Sequence, residues 1–163
     1  MYHRCCGIDV HKKMIVACLL IVTAQGVHKE TQTFSTMVSD LFRLREWLKA
    51  QGCEAVAMES TGVYWKCIWN VLEEEMELLL CNAQHIKAVP GRKTDTKDAE
   101  WIADLLQHGL LRASFVPPRP QRELREVTRY RSKLVAERAR LVNRIQKVLQ
   151  RCTESLSDKL LHC

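Results

Sequence analysis

The sequence predicts a mixed α/β domain followed by a long basic helix. Three apolar, β-branched runs fill the first 35 residues, and strand-like and helical patterns alternate from there to Gly109. Residues 121 to 150 then contain neither glycine nor proline, which is typical of one uninterrupted helix. A chain of 163 residues is long enough for one ordinary domain with such an extension.

The first three predicted strands form an antiparallel meander. "CCGIDV" at 5–10 and "MIVACLLIV" at 14–22 are short apolar runs separated by "HKK", as in a hairpin. "VHKETQTF" at 27–34 partly alternates between apolar and polar residues after a turn at residues 25–26, and it is the third strand.

Helices and parallel strands alternate after the meander. The predicted elements are a helix over 39–50, a strand over 54–59, a helix over 63–74, a strand over 76–81, and a helix from Thr94 or Thr96 to Gly109. Three antiparallel strands followed by this alternation is the order of the ribonuclease-H-like, or RuvC-like, fold class. Strand order alone says little about function.

The long helix has a seam of eight positions spaced alternately by three and four residues, as in a coiled coil. Six of these positions are apolar: Leu124, Val127, Leu134, Leu141, Ile145 and Val148. Arg131 and Arg138 occupy the other two. The pattern favours pairing with a second helix in a homo-oligomer, and a lone surface helix is the alternative. The predicted boundaries are an α/β domain over 1–115, a linker with the long basic helix over 116–151, and an atypical tail over 152–163.

Positive charge is concentrated on this helix. Residues 117–151 carry three anions and eleven cations, namely Arg119, Arg122, Arg125, Arg129, Arg131, Lys133, Arg138, Arg140, Arg144, Lys147 and Arg151. Their net charge of +8 leaves −2 for the rest of a chain whose total is +6. A basic stripe on a nearly neutral body predicts a nucleic-acid contact.

Composition argues against a membrane or secreted protein. No apolar run approaches the ~18–20 residues of a membrane span, and no secretory signal opens the chain. The eight cysteines contain no C-x-x-C pair and no zinc-ligand spacing, so we expect reduced, mostly buried thiols. The sequence predicts a cytoplasmic protein with no membrane partner.

Four acids fall at the ends of predicted elements. Asp9 interrupts the apolar first strand, where an unpaired carboxylate costs several kcal/mol. Glu59 closes the fourth strand, at the edge where parallel sheets bind ligands. Asp95 and Asp98 are three residues apart and share a helical face. Singly, each acid has a structural explanation, such as a helix start for Asp95.

Together, these acids predict a site for a hard cation. Four carboxylates in one crevice repel each other unless a cation neutralises them, and Mg²⁺ prefers oxygen ligands. Two such ions could act on both sides of a phosphodiester. Arg92 and Lys93, just before Asp95, are candidate phosphate contacts. His11 is either a residue of the first turn or a further phosphate contact.

Several segments resemble one known family. "GIDVHKK", "MESTGVYW", "NAQHIKAVPGRKTDTKDAEWIADLLQHGLL" and the basic helix are similar, in the same order over roughly residues 4–150, to the amino-terminal half of the DEDD-type transposases of the insertion-sequence one-ten family. The resemblance implies a RuvC-like domain that binds Mg²⁺ on Asp9, Glu59, Asp95 and Asp98. It also implies DNA, a structured non-coding (bridge) RNA and further copies of the chain as partners.

The family's second domain, with its nucleophilic serine, has no counterpart before Cys163, so the resemblance implies a truncated product or an excised domain. Three functions therefore stay open at this point. They are a metal-dependent DNA recombinase domain, a nucleic-acid-binding and oligomerising fragment without turnover, and a stand-alone RuvC-like nuclease.

Overall fold

A computed structural model of the chain describes residues 2–60, 62–88 and 98–161. It contains two compact units, Met1–Val116 and Pro117–Cys163. The first unit holds all the strands described, which are β1 (Arg4–Val10), β2 (Met14–Thr23), β3 (Gly26–Ser35), β4 (Ala55–Glu59) and β5 (Glu77–Cys81). Its described helices are α1 (Val38–Ala50), α2 (Trp65–Leu72), α3 (Ala83–Ala88) and α4 (Asp98–Gln107), and the second unit is the helix α5 (Arg119–Leu161).

The five strands form one mixed sheet in the order β3-β2-β1-β4-β5. β2 pairs antiparallel with both β1 and β3, whereas β4 lies parallel to β1 and to β5. This order is that of the ribonuclease-H-like class, so the predicted fold is confirmed. The central position of β1 places Asp9 between the two halves of the sheet.

Each face of the sheet is covered by helices. Side chains alternate along β1, so that Cys6, Ile8 and Val10 face a core completed by α1 and α2. Cys5 lies on the opposite face, in a second core with Ile102 and other residues of α4. Gly7 and Asp9 share that second face by the same alternation.

The contact between α4 and β1 is unusually close at Gly7. A Cβ atom at this position would overlap the Ala99 carbonyl oxygen and the Ala103 amide nitrogen, and would lie 3.0 Å from the Ala103 Cα. Ala99 and Ala103 are four residues apart, so they present one small-residue face of the helix to the strand. Only a glycine in β1 allows the two backbones to approach this far.

The direction of α4 follows from its contacts with β1. Ala99, near the start of the helix, lies against Gly7, while the Ala103 carbonyl accepts a weak hydrogen bond from the Cys5 Sγ at 3.8 Å. The helix therefore runs antiparallel to β1, and its first turn lies towards the Asp9 end of the strand. Lys29 of β3 supports this placement through ion pairs to Glu100 at 2.6 Å and Asp104 at 3.3 Å.

The helices differ from the prediction at several points. No element was predicted between residue 81 and Thr94, but Ala83–Ala88 is helical, and the Asn82 side chain accepts a hydrogen bond from the Gln84 amide at 2.8 Å. α5 begins at Arg119, inside the predicted linker, because proline is compatible with a first helical turn. Its last ten residues, 152–161, continue the helix into the predicted tail.

Five of the six cysteines of the first unit behave as small apolar residues, and Cys67 is exposed. Cys5, Cys6, Cys18, Cys53 and Cys81 are buried and free. Burial raises the pKa of the Cys5 and Cys81 thiols to about 11 and that of Cys53 to about 12. These thiols stay protonated at neutral pH, which agrees with the predicted reduced and buried cysteines.

We predict that Gly7→Ala destabilises the first unit by about 3 kcal/mol or more, because its Cβ has no room beside the α4 backbone. Urea unfolding followed by circular dichroism measures this loss. Gly109→Ala is the control, since its Cβ meets no described atom within 4 Å, and only its φ of +67° is unfavourable. We expect the control to lose about 1 kcal/mol. Equal midpoints for Gly7→Ala and the wild type would contradict the close contact.

A candidate metal centre at the carboxyl ends of the parallel strands

Strand register places Asp9 and Glu59 side by side. The last parallel pair between β1 and β4 is Ile8 with Met58, so Asp9 and Glu59 are the next residues in the register. Because side chains alternate along a strand, Asp9 shares a face of the sheet with Cys5 and Gly7, and Glu59 shares it with Ala55 and Ala57. This is the face that α4 covers. The side chain of Asp9 is 20% exposed, and Glu59 is half-buried.

Asp98 is the third acid at this end of the sheet. It is the first residue of α4 and is exposed, and its neighbour Ala99 is the residue whose carbonyl lies against Gly7. The close helix–strand contact therefore carries Asp98 towards the end of β1. Asp98 and Glu59 both lie close enough to Asp9 for their charges to act on its carboxyl.

The charges of these acids affect one another. Burial raises the pKa of the Asp9 carboxyl, and the negative charges of Asp98 and Glu59 raise it further. His11 opposes these effects, because its Nε2 lies 3.0 Å from Asp9 Oδ2. An anionic Asp9 is consequently disfavoured unless positive charge is supplied.

Asp95, Arg92 and Lys93 lie outside the described residues. Within residues 2–60, 62–88 and 98–161, no group of three or more His, Cys, Asp or Glu side chains is arranged to hold a metal ion. The predicted four-acid site includes Asp95, so its full ligand set stays a prediction.

The donor chemistry nevertheless fits a hard cation. Asp9, Glu59 and Asp98 offer carboxylate oxygens, the ligands that Mg²⁺ prefers. Burial, more than the neighbouring carboxylates, raises the pKa of Asp9, and a bound cation would offset the cost of its charge.

α5 is a second candidate site. The predicted basic residues of this helix, from Arg119 to Lys147, have exposed side chains. The exception is Arg122, which is partly buried. Arg119 pairs with Glu123 at 3.1 Å, and Arg122 donates to the Pro117 carbonyl at 2.9 Å. The remaining cations form an extended positive surface that suits phosphates.

The apolar seam of α5 is exposed as well. Leu134 is 47% exposed, and the other five seam residues are between 55% and 67% exposed. A second row, Val135, Val142 and Leu149, lies beside the seam at seven-residue spacing and is also exposed. The prediction missed this row, although its repeat is visible in the sequence, and it makes the apolar face wider than two residues per heptad.

The chain belongs to the DEDD transposase family of IS110, which its sequence matches over residues 6–154. A 44.8 kDa protein of insertion element IS116 from Streptomyces clavuligerus is 35% identical over 91 residues. That match covers 45% of this chain and 22% of the relative, so the matched part spans less than a quarter of that protein. The resemblance inferred from the sequence is confirmed.

Solved structures with a similar backbone include Thermus thermophilus RuvC, at 14% identity and a TM-score of 0.49, covering 68% of this chain and 99% of RuvC. T. thermophilus RuvC in complex with Holliday junction substrate is 13% identical, with a TM-score of 0.48 and the same coverage of both chains. Fowlpox virus resolvase with substrate Holliday junction DNA is 10% identical, with a TM-score of 0.39. That similarity covers 56% of this chain and 65% of the resolvase. The fold assignment rests on the strand order of this chain rather than on these similarities.

The described helices include none that is long and apolar enough to cross a bilayer. The 43-residue α5 is too rich in charged residues for that role.

We predict that Asp9→Asn raises the melting temperature in metal-free buffer containing a chelator. The raised pKa means that the folded state holds the Asp9 proton more tightly than the unfolded state does, so stability falls as pH rises through this range. The substitution removes the charge and with it the loss of stability. We therefore expect the melting temperature to rise at pH 7 but not at pH 3. Thermal unfolding at both pH values measures it.

Asp40→Asn is the matched control with the opposite sign. Asp40 accepts hydrogen bonds from the Ser35 amide at 2.9 Å and from Arg43 at 2.9 Å, which lower the pKa of its carboxyl. Its charge stabilises the fold above the unfolded pKa, and this contribution is lost as pH falls through the folded pKa. We expect Asp40→Asn to lower the melting temperature at pH 7. A fall for Asp9→Asn as well would contradict the crowded-acid explanation.

Proposed function

We propose that this chain is the metal-binding domain of a DNA transposase or recombinase that acts on DNA phosphodiesters. The observation that carries the proposal is the shared position of Asp9, Glu59 and Asp98 at one end of the sheet, in a chain of a transposase family. Asp95, the fourth acid of the sequence pattern, completes the proposed ligand set. The proposed ion is Mg²⁺.

The residues of the chain have distinct tasks in this proposal. A bound Mg²⁺ would polarise a phosphate oxygen and neutralise charge that develops on it. β1 and β4 hold Asp9 and Glu59 at a fixed separation, since both strands are internal to the sheet. α4 adds Asp98 from above the sheet, at a depth set by Gly7.

α5 would bind nucleic acid and pair subunits. Its exposed cations suit the phosphates of DNA and of a structured non-coding (bridge) RNA. Its exposed apolar face suits pairing with a second copy of the same helix in a homo-oligomer. Arg131 and Arg138 lie within that face and would tune the pairing.

A second candidate function is nucleic-acid binding and oligomerisation without turnover. The observation that favours it is the concentration of a +8 charge in residues 117–151, next to a nearly neutral remainder. A stand-alone nuclease, with water as the nucleophile, is the third alternative. One pair of experiments separates the three.

We predict that Mg²⁺ or Mn²⁺ raises the melting temperature of the wild-type chain, because an ion that binds only the folded state stabilises it. Asp9→Asn and Glu59→Gln should lose most of this shift, whereas Glu46→Gln, an exposed change on α1, should retain it. If neither ion changes the melting temperature of the wild type, the proposed metal site is contradicted.

The same variants then enter a nicking assay on supercoiled plasmid DNA with Mg²⁺. Nicking that disappears in Asp9→Asn supports a stand-alone nuclease. Metal binding without nicking supports a domain that depends on other parts of a transposase. DNA binding with neither metal binding nor nicking supports the fragment without turnover.

We predict a steep salt dependence of duplex DNA binding that is carried by α5. Removing one cation that neutralises a phosphate should reduce the slope of log K against log salt by about 1. Arg129→Gln combined with Arg140→Gln should therefore lower the slope by about 2. Arg45→Gln on α1 is the control for charge alone, since Arg45 pairs with Glu46 at 2.8 Å. Equal slopes for the wild type and the α5 variant would contradict an α5 interface.

A further inference from the structure

One polar contact at the candidate centre has no role in the proposal above. The His11 Nε2 lies 3.0 Å from Asp9 Oδ2, while the His11 side chain as a whole is 55% exposed. An imidazole with its proton on Nε2 donates a hydrogen bond to this oxygen. The contact joins two residues that are separated by Val10 alone, at the point where β1 ends.

The backbone that carries His11 is fixed by its neighbours. The His11 amide donates to the Met14 carbonyl at 2.9 Å, which closes the turn between β1 and β2. The Thr36 hydroxyl donates to the Lys12 carbonyl at 3.2 Å, which ties the same turn to the end of β3. The imidazole therefore starts from an ordered backbone, and its contact with Asp9 costs less conformational entropy than one from a loose loop.

The contact also divides the two oxygens of Asp9. Oδ2 is occupied by the imidazole, so Oδ1 is the oxygen that a cation can take without displacing His11. Oxygen and nitrogen ligands of metal ions in proteins are regularly held by such outer hydrogen bonds, whose loss weakens metal binding by roughly 10–100-fold. The same hydrogen bond places a donor beside an acid that faces the negative charges of Glu59 and Asp98.

We infer that His11 is a positioning residue for Asp9: its Nε2 holds Oδ2 and orients the carboxylate for a divalent cation. This inference rests on the proposed metal site and adds a residue that is not one of the four acids. His11 acts through Asp9 and not on the phosphate. Nε2 donation is the specific feature, so glutamine, which carries an N–H donor at a similar reach, is expected to replace histidine.

Isothermal titration with Mn²⁺, and with Mg²⁺ as the second ion, tests the inference on the full chain. The proteins are the wild type, Asp9→Asn, His11→Ala and His11→Gln. His28→Ala is the matched control, since His28 is an exposed histidine on β3. His28 pairs with Ile21 of β2, which pairs with Arg4, so it lies at the end of the sheet opposite to Asp9. Thermal unfolding in chelator shows that each variant is folded.

We expect His11→Ala to bind Mn²⁺ roughly 10–100-fold more weakly than the wild type, with His11→Gln and His28→Ala close to the wild type. A Kd for His11→Ala within twofold of the wild type overturns the inference while leaving the metal site standing. Equal weakening in His11→Gln and His11→Ala also overturns it, because Nε2 donation then has no part. No binding by the wild type overturns the metal site, and this inference with it.

Discussion

The backbone of α4 packs directly on Gly7 of β1, and the placement of the candidate centre depends on this contact. Cβ atoms and the side chains beyond them normally keep the backbones of a helix and a strand apart. Here Gly7 has no side chain, and the helix presents Ala99 and Ala103, so the helix approaches until its carbonyl and amide groups meet the strand. The depth and axial position of α4 are thereby fixed within a narrow range. The position of Asp98, the first residue of α4, follows from the position of the helix.

This packing works against stability at one point. Asp9 would be easier to accommodate as a neutral residue, because burial and two neighbouring carboxylates all disfavour its charge. The fold keeps it where strand register places it, next to Glu59, on the face that α4 covers. A fold optimised for stability alone has no use for three acids in this position. The metal site proposed above would explain their position, since a bound cation would supply a counter-charge.

The sequence was sufficient to predict the strands and their class of fold, because their apolar runs are short, β-branched and separated by clear turns. Asp9 could be singled out for a local reason, namely that it interrupts such a run. The depth of α4 could not be predicted, since Gly7 in "CCGIDV" looks like any glycine in a strand until a partner helix is known. The contact between His11 and Asp9 was equally hidden, because it depends on the turn geometry rather than on spacing. The second apolar row on α5 was visible but was overlooked, because the seam positions alone were counted.

The two borders of the sheet differ in a way that bears on aggregation. Beyond β5, Ala113 forms an antiparallel bridge with Cys81, and the Ser114 amide donates to the Leu80 carbonyl at 2.7 Å, so this margin is already occupied by the chain's own segment. The opposite margin, β3, is polar over most of its length and carries Lys29 and Glu30. Charged or covered margins discourage strand-to-strand growth into fibrils. The two margins of the sheet are therefore not expected to drive aggregation of the protein.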